Sequence, residues 1–108
     1  SYKFGRSTLQ PGQSLQPGEG LMSPQKKYAF VLQKDGNLCL YKLTKDSETY
    51  VKCVGEQKGA RLDMQQDGNL VLYNADGRAI WSSDTYRGDN SQKGRHIWMS
   101  DVDGKALQ

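Results

Sequence analysis

The sequence has no long apolar run, only two cysteines and a single histidine. No segment approaches the roughly 20 apolar residues of a membrane-spanning helix. The first ten residues, SYKFGRSTLQ, also lack the charged and apolar stretches of a signal peptide. We therefore expect no insertion into a membrane.

The residues that could bind a metal or attack a substrate are scattered. Cys39 and Cys53 are too few for a disulfide framework, and neither has the neighbouring His or Cys of a zinc site. No motif links the one histidine, His96, to either cysteine. No nucleophile is paired with a base in a motif, so the sequence predicts no enzymatic activity. It also predicts no metal and no cofactor.

Positive and negative charges are nearly balanced. Fifteen Lys and Arg against twelve Asp and Glu give a net charge of +3, spread without a basic stripe, so nucleic acid is not an expected partner. The 108 residues suit a single domain over 1–108. A hydrophobic content of 35% with six Tyr, two Trp and two Phe predicts a thin core built partly on aromatic residues.

Glycine and proline interrupt the chain so often that an all-β fold of short strands is predicted. Internal repeats organise it: QKDGNLCLY (33–41), QQDGNLVLY (65–73) and, more weakly, DVDGKAL (101–107). Three similar units therefore fill the chain. Before them, LQPGQS (9–14) and LQPGEG (15–20) predict two short strands joined by tight turns.

In the second unit, Asp76-Gly77 suits a two-residue type I′ hairpin turn. That turn would pair Tyr73 with Ile80, Leu72 with Trp81, and Val71 with Ser82. Alternation then points Trp81 and the leucines into the core. One valine and four polar residues would share the outer face: Gln65, Asp67, Asn69, Val71 and Tyr73.

A purely structural repeat does not require polar groups on that outer face. A carboxylate only accepts hydrogen bonds, whereas amide and phenol groups both donate and accept, so the row matches hydroxyl groups that also do both. Successive side chains on one face of an extended strand lie about 6.5 to 7 Å apart, which a sugar ring bridges. The sequence predicts a docking strip for a hydroxyl-rich ligand.

The pattern Gln-x-Asp-x-Asn-x-Val-x-Tyr resembles the signature of the bulb-type mannose-binding lectins, the snowdrop-agglutinin-like family. SLQPGEGLMSPQKKYAFVLQKDGNLCLY and AIWSSDT are similar to the family's opening unit and its tryptophan-bearing strand. The resemblance implies a β-prism II fold: three antiparallel four-stranded sheets with pseudo-threefold symmetry, one potential sugar site per sheet and no metal.

The resemblance also implies a role for each residue of the second unit. Asp67 and Asn69 would hold the axial 2-hydroxyl of mannose. Gln65 would bind the 3-hydroxyl and Tyr73 the 4-hydroxyl, while Val71 would lie against the ring. The matching residues of the first unit are Gln33, Asp35, Asn37, Cys39 and Tyr41. There the thiol replaces valine as a smaller apolar contact.

The third unit departs from the pattern. Its corresponding residues are Asp101, Asp103, Lys105 and Leu107, and the sequence ends at Gln108 before any tyrosine. Aspartate in the place of glutamine removes donors, and Lys105 would neutralise Asp103, so we expect a degenerate site. The strand that many family members exchange between subunits is also missing, which leaves open whether the chain forms a homodimer.

A disulfide between Cys39 and Cys53 is not expected. Pairing them directly would place Lys52 opposite Leu40 and send a lysine into the core. Pairing Leu40 with Val51 instead puts the cysteines on opposite faces of the sheet. Free thiols give no indication of compartment; a secreted or cell-surface location is favoured, without excluding the cytoplasm.

The predicted function is that of a non-catalytic lectin for terminal mannose or mannose-rich glycans. The alternative is a protein-interaction or structural module on the same scaffold, with vestigial sugar sites. Intact polar residues in the second unit favour the lectin. Replacing Asp67 or Asn69 by alanine is then expected to abolish binding there with little change in thermal stability.

Overall fold

The computed structural model describes residues 6–45, 47–85, 97–99 and 106–107, and every statement below concerns these residues. They form β-strands only, and no described element is a helix that could cross a membrane. In chain order the strands are β1 (Thr8–Leu9), β2 (Ser14–Leu15), β3 (Glu19–Met22), β4 (Tyr28–Leu32), β5 (Leu38–Leu43), β6 (Glu48–Val54), β7 (Arg61–Met64), β8 (Leu70–Tyr73), β9 (Ala79–Ser82), β10 (Ile97–Met99) and β11 (Ala106–Leu107).

These strands make three antiparallel sheets, and the all-β prediction is confirmed. The first sheet has the order β3-β4-β5-β6 and the second the order β2-β7-β8-β9. The third sheet has the order β1-β10-β11, which is three strands in the described part of the chain where four are predicted. Each of the two full repeats therefore lies in a four-stranded sheet of its own.

The first three strands go one to each sheet, always at an edge. Two Gln-Pro-Gly turns redirect the chain between them: the Gln13 N–H donates to the Gln10 carbonyl, and the Glu19 N–H to the Gln16 carbonyl, both at 2.9 Å. Gly12 has φ +87°, which glycine adopts at little cost. The predicted pair of short strands with tight turns is confirmed.

The core lies between the three sheets. Leu9 of β1, Leu15 of β2 and Leu21 of β3 are all 0% exposed, and full burial of such a side chain contributes roughly 1.5–3 kcal/mol. The other core members come from the remaining strands: Leu32, Leu38, Leu62, Met64, Leu70, Leu72, Ile97 and Met99. Trp81 packs against this cluster, as predicted.

Both repeats fold into the same hairpin loop, so the extended strand predicted for them is wrong at residues 33–37 and 65–69. The Gln33 N–H donates to the Asn37 carbonyl (2.8 Å), and the Gly36 N–H donates to the Gln33 carbonyl (3.0 Å). The second repeat forms the same two bonds, at 2.9 and 3.1 Å. Gly36 and Gly68 have φ +91° and +88°, the left-handed region that favours glycine.

The turn after β8 is wider than predicted. Gly77 has φ +82° but Asp76 does not have positive φ, so the type I′ turn, which needs it at both positions, is wrong. The Asn74 N–H instead donates to the Arg78 carbonyl at 2.8 Å. A register shift follows: Tyr73 pairs with Ala79 and not Ile80, whereas the predicted pairs Leu72–Trp81 and Val71–Ser82 are confirmed.

Cys39 and Cys53 form a disulfide, so the prediction of free thiols is wrong. The cysteines face each other across β5 and β6, and the register shifts just after Leu40. Lys52 does lie opposite Leu40, but Leu40 is only half-buried and Lys52 is exposed on the edge strand. The lysine stem lies beside Leu40 without taking its charge into the core.

Gly36 is the turn position with the least space. A Cβ built there would lie 2.7 Å from the backbone carbon and oxygen of Gln57 and 3.0 Å from the Gly59 nitrogen. Gly77 has a similar φ, but nothing lies within 4 Å of its Cβ. A substitution at Gly77 would therefore add backbone strain alone, whereas one at Gly36 would add both strain and steric overlap.

We expect Gly36→Ala to lower the free energy of unfolding clearly more than Gly77→Ala. The Gly77 variant adds only left-handed strain, about 1–2 kcal/mol, whereas the Gly36 variant must also displace the loop at residues 55–59. Since each 1 kcal/mol shifts Tm by roughly 4–8 °C in a domain of this size, thermal unfolding followed by circular dichroism resolves the difference. Equal losses of Tm would contradict the steric explanation.

Candidate functional site

The second strip comprises Gln65, Asp67, Asn69, Val71 and Tyr73. Hydrogen bonds between its side chains hold it together. With the Gln65 amide oriented so that its oxygen accepts from the Tyr73 hydroxyl (2.5 Å), its nitrogen donates to the two oxygens of Asp67 (3.2 and 3.3 Å). All three side chains are half-buried. The three side chains share one surface because the hairpin loop folds back, and not because they alternate along an extended strand as predicted.

Asp67 and Asn69 are fixed by the backbone. Asp67 Oδ1 accepts from the Asn69 N–H at 2.9 Å. Asn69 Oδ1 accepts from the Thr85 N–H and the Ser83 hydroxyl, both at 3.3 Å. No hydrogen bond from Asn69 Nδ2 is found within the described residues, so its two donors are available to a ligand.

Val71 lies beneath these polar groups. It is 4% exposed and stands outside the core cluster of leucines, on the face that Tyr73 shares. Its strand partners are Asp63 on β7 and Ser82 on β9. Val71 therefore offers an incoming ring only a small apolar area.

The first strip comprises Gln33, Asp35, Asn37, Cys39 and Tyr41, and it shares part of this arrangement. Gln33 Nε2 donates to the Tyr41 hydroxyl, and Asp35 Oδ1 accepts from the Asn37 N–H at 2.9 Å. Asn37 Oδ1 accepts from the Gln57 N–H, also at 2.9 Å. Each asparagine thus uses its side-chain oxygen to hold a neighbouring loop.

Cys39 differs from the thiol contact that the sequence predicts. Its sulfur is bonded to Cys53, and the residue is 0% exposed. A disulfide in the valine position still presents apolar atoms, but it lies completely beneath the polar groups. The first strip therefore gains a covalent cross-link under its surface instead of a free thiol.

A relative with matching sequence identifies the family. The chain is 35% identical over 83 residues to the B-type lectin plumieribetin of Scorpaena plumieri, and the match covers 75% of this chain and 69% of that protein. The chain belongs to the bulb-type (B-type) lectin family. The resemblance seen in the sequence is confirmed, and this lectin is a carbohydrate-binding protein of a non-catalytic class. No family model matches it.

Solved structures agree with the lectin's fold. The Japanese Marasmius oreades lectin matches with a TM-score of 0.75 and 28% identity, over 99% of this chain and 92% of that one. The mannose-specific agglutinin of snowdrop (Galanthus nivalis) bulbs, solved with methyl-α-D-mannoside, matches with a TM-score of 0.73 and 30% identity, over 94% and 86%. The predicted β-prism II fold is confirmed.

Sequence reasoning missed two charged neighbours of the lectin's second strip. Asp63 pairs with Val71, and Arg61 with Tyr73, across β7 and β8. Arg61 Nε lies 2.9 Å from Asp63 Oδ1, and the guanidinium carbon lies 4.9 Å from the centre of the Tyr73 ring. The sequence could have revealed Asp63 and Arg61, because residues two and four positions before Gln65 lie on the same face of a strand.

The predicted third site falls largely outside the described residues, which exclude Asp101, Asp103 and Lys105. Leu107 belongs to β11 and pairs with Trp98 through the backbone. The degenerate third site stays a prediction. In the described part of the lectin, no three His, Cys, Asp or Glu side chains are grouped so as to hold a metal.

We expect Asn69→Ala to destabilise the lectin by about 1–2 kcal/mol, because two donors of the 83–85 segment lose their acceptor. This differs from the near-neutral effect predicted from the sequence. Asp67→Asn is the matched control: it keeps an oxygen for the Asn69 N–H and should cost less than about 0.5 kcal/mol. Urea unfolding measures both, and an Asn69→Ala variant as stable as wild type would refute the loop-holding role.

Proposed function

We propose that this lectin binds terminal mannose and mannose-rich glycans through its first and second strips. The observation that supports the proposal is the side-chain network from Tyr73 through Gln65 to Asp67. It holds amide, carboxylate and phenol groups in fixed positions on a half-buried surface. A hydrogen bond between glutamine and tyrosine side chains is also present in the first strip, where the Gln33 amide is the donor.

The network leaves a complementary set of hydrogen-bonding atoms for a sugar. Asn69 Nδ2 supplies donors, the Asp67 carboxylate supplies acceptors, and the Tyr73 hydroxyl keeps acceptor capacity. Asp67 and Asn69 would hold the axial 2-hydroxyl, Gln65 the 3-hydroxyl and Tyr73 the equatorial 4-hydroxyl. Galactose, with its 4-hydroxyl axial and its 2-hydroxyl equatorial, would leave buried polar groups unpaired, which is costly.

Each site should be weak alone. A typical hydrogen bond contributes a net 0.5–1.5 kcal/mol, roughly, after water is displaced, so a few of them give an affinity near 1 mM, about −4 kcal/mol. Two strips on one chain that engage a branched glycan raise the local concentration of the second contact. We therefore propose that branched, mannose-rich glycans are the physiological ligands.

The snowdrop agglutinin gives independent support. Its structure with methyl-α-D-mannoside matches this lectin over 94% of the chain, and the family motif for that sugar is complete in the second strip. The third unit, with Asp101, Asp103, Lys105 and Leu107, departs from the motif. We propose two mannose sites per chain and a third unit without one.

We expect methyl α-mannoside, but not methyl α-galactoside, to perturb two separate groups of amide signals in an NMR titration. Asp67→Asn should remove the response of the second strip alone, and Asp35→Asn that of the first alone. Both keep the oxygen that accepts from the following asparagine N–H, so the fold is preserved. A double variant that binds like wild type would overturn the assignment of the sites.

A further inference from the structure

A cleft of about 200 Å³ adjoins the first strip. Ala29 and Val31 form its floor and are each 3% exposed. Met22 and Leu43, both half-buried, also line it, as does the exposed Glu48. Apart from that carboxylate, these lining residues are apolar.

The cleft is continuous with the strip, because Gln33 and Tyr41 line both. Asp35 and Asn37 do not line it, whereas Leu43, two residues beyond Tyr41, does. The cleft therefore extends from the tyrosine end of the strip. With Tyr41 on the 4-hydroxyl of a bound mannose, it faces the edge of the ring that carries the 4- and 6-positions.

The second strip has charged groups where the first has this apolar floor. The equivalent strand pairs are Ala29–Tyr41 and Val31–Cys39 in the first sheet, and Arg61–Tyr73 and Asp63–Val71 in the second. Arg61 is ion-paired with Asp63, which also accepts from the Ser14 hydroxyl at 2.7 Å. A substituent on the same edge of the sugar would meet methyl groups at one strip and a guanidinium at the other.

We propose that the first strip is selective for mannose carrying a neutral apolar O-substituent, such as an acyl or O-methyl group, at the 6-position. This inference rests on the proposed function, since it assumes that mannose lies on the strip. The second strip gains nothing from the substituent. The two repeats then recognise different forms of one sugar.

Size and charge support a neutral group. The cleft volume of about 200 Å³ is several times the roughly 30 Å³ that a water molecule occupies in the liquid, so a short acyl chain fits. Ala29, Val31, Met22 and Leu43 offer no donor to an anion, and burying an unpaired charge is strongly unfavourable. Lys26 and Lys45 line the adjoining hollow but not the cleft itself, where Glu48 supplies the one charged group. A phosphate or carboxylate substituent is therefore disfavoured.

The test compares methyl α-mannoside with its 6-O-butyryl ester and its 6-phosphate, and each Kd is measured by NMR titration. In the Asp67→Asn variant, where only the first strip binds, burial of the acyl chain should make the butyryl ester bind about three- to tenfold tighter than the parent sugar. The 6-phosphate should bind more weakly than the parent. In the Asp35→Asn variant the butyryl ester should show no gain.

Two further variants locate the gain in the cleft. Ala29→Leu fills the floor and, in the Asp67→Asn background, should bring the ratio of the two Kd values back to about one. If that variant does not fold, Arg61→Ala with Asp63→Val in the Asp35→Asn background provides the reciprocal test. It gives the second strip an apolar floor and should create a gain there.

The outcomes distinguish the inference from the proposed function. If the parent sugar binds the Asp67→Asn variant but the butyryl ester shows no gain, the cleft does not recognise the substituent and only the inference fails. If neither ligand binds either single variant, the proposed function fails. A gain that is equal at both strips, or that survives Ala29→Leu, would overturn the inference by showing that the substituent binds elsewhere.

Discussion

The site depends on one local constraint, a glycine in the left-handed region within Gln-x-Asp-Gly-Asn. Gly36 and Gly68 let the chain reverse so tightly that the glutamine before the turn bonds the tyrosine on the next strand. The Asp–Asn pair stabilises the same reversal through a carboxylate-to-backbone hydrogen bond. Scaffold and candidate binding surface therefore use the same residues, and the DGN segment cannot be assigned to only one of them.

Much of the fold is predictable because it follows from alternation and repetition. Leu72 faces Trp81, the leucines enter the core, and the Gln-Pro-Gly segments join short strands. Apart from the hairpin loops at 33–37 and 65–69, the errors arise where one residue breaks that regularity. The extra residue at Ile80 and the register shift after Leu40 are local irregularities with no periodic signal. The second of them led to the wrong prediction about Cys39. That prediction assumed that any residue opposite Leu40 must be buried, whereas Leu40 is only half-buried and Lys52 stays exposed.

The two strips are equal in motif and unequal in surroundings. Their polar residues match one for one, yet one lies over a disulfide beside apolar side chains and the other beside an ion pair. The motif was readable from the sequence because it is repeated. Its neighbours were not recognised, since Ala29, Val31, Arg61 and Asp63 precede the motif and differ in residue type between the two units. The proposed selectivity therefore resides in positions outside the motif, which a search for the motif does not examine.

The segment from Thr8 to Met22 supplies an edge strand to every sheet in turn. The first sheet is built from four consecutive strands, but the second and third sheets take their edge strands, β2 and β1, from far outside their own repeats. Assembly must therefore be concerted across the whole domain, with closure of long chain segments before the sheets are finished, which is a slow class of folding reaction. Because this one segment pairs with an edge of each sheet, its loss would expose three unpaired strand edges at once. Each exposed edge would be a template for self-association.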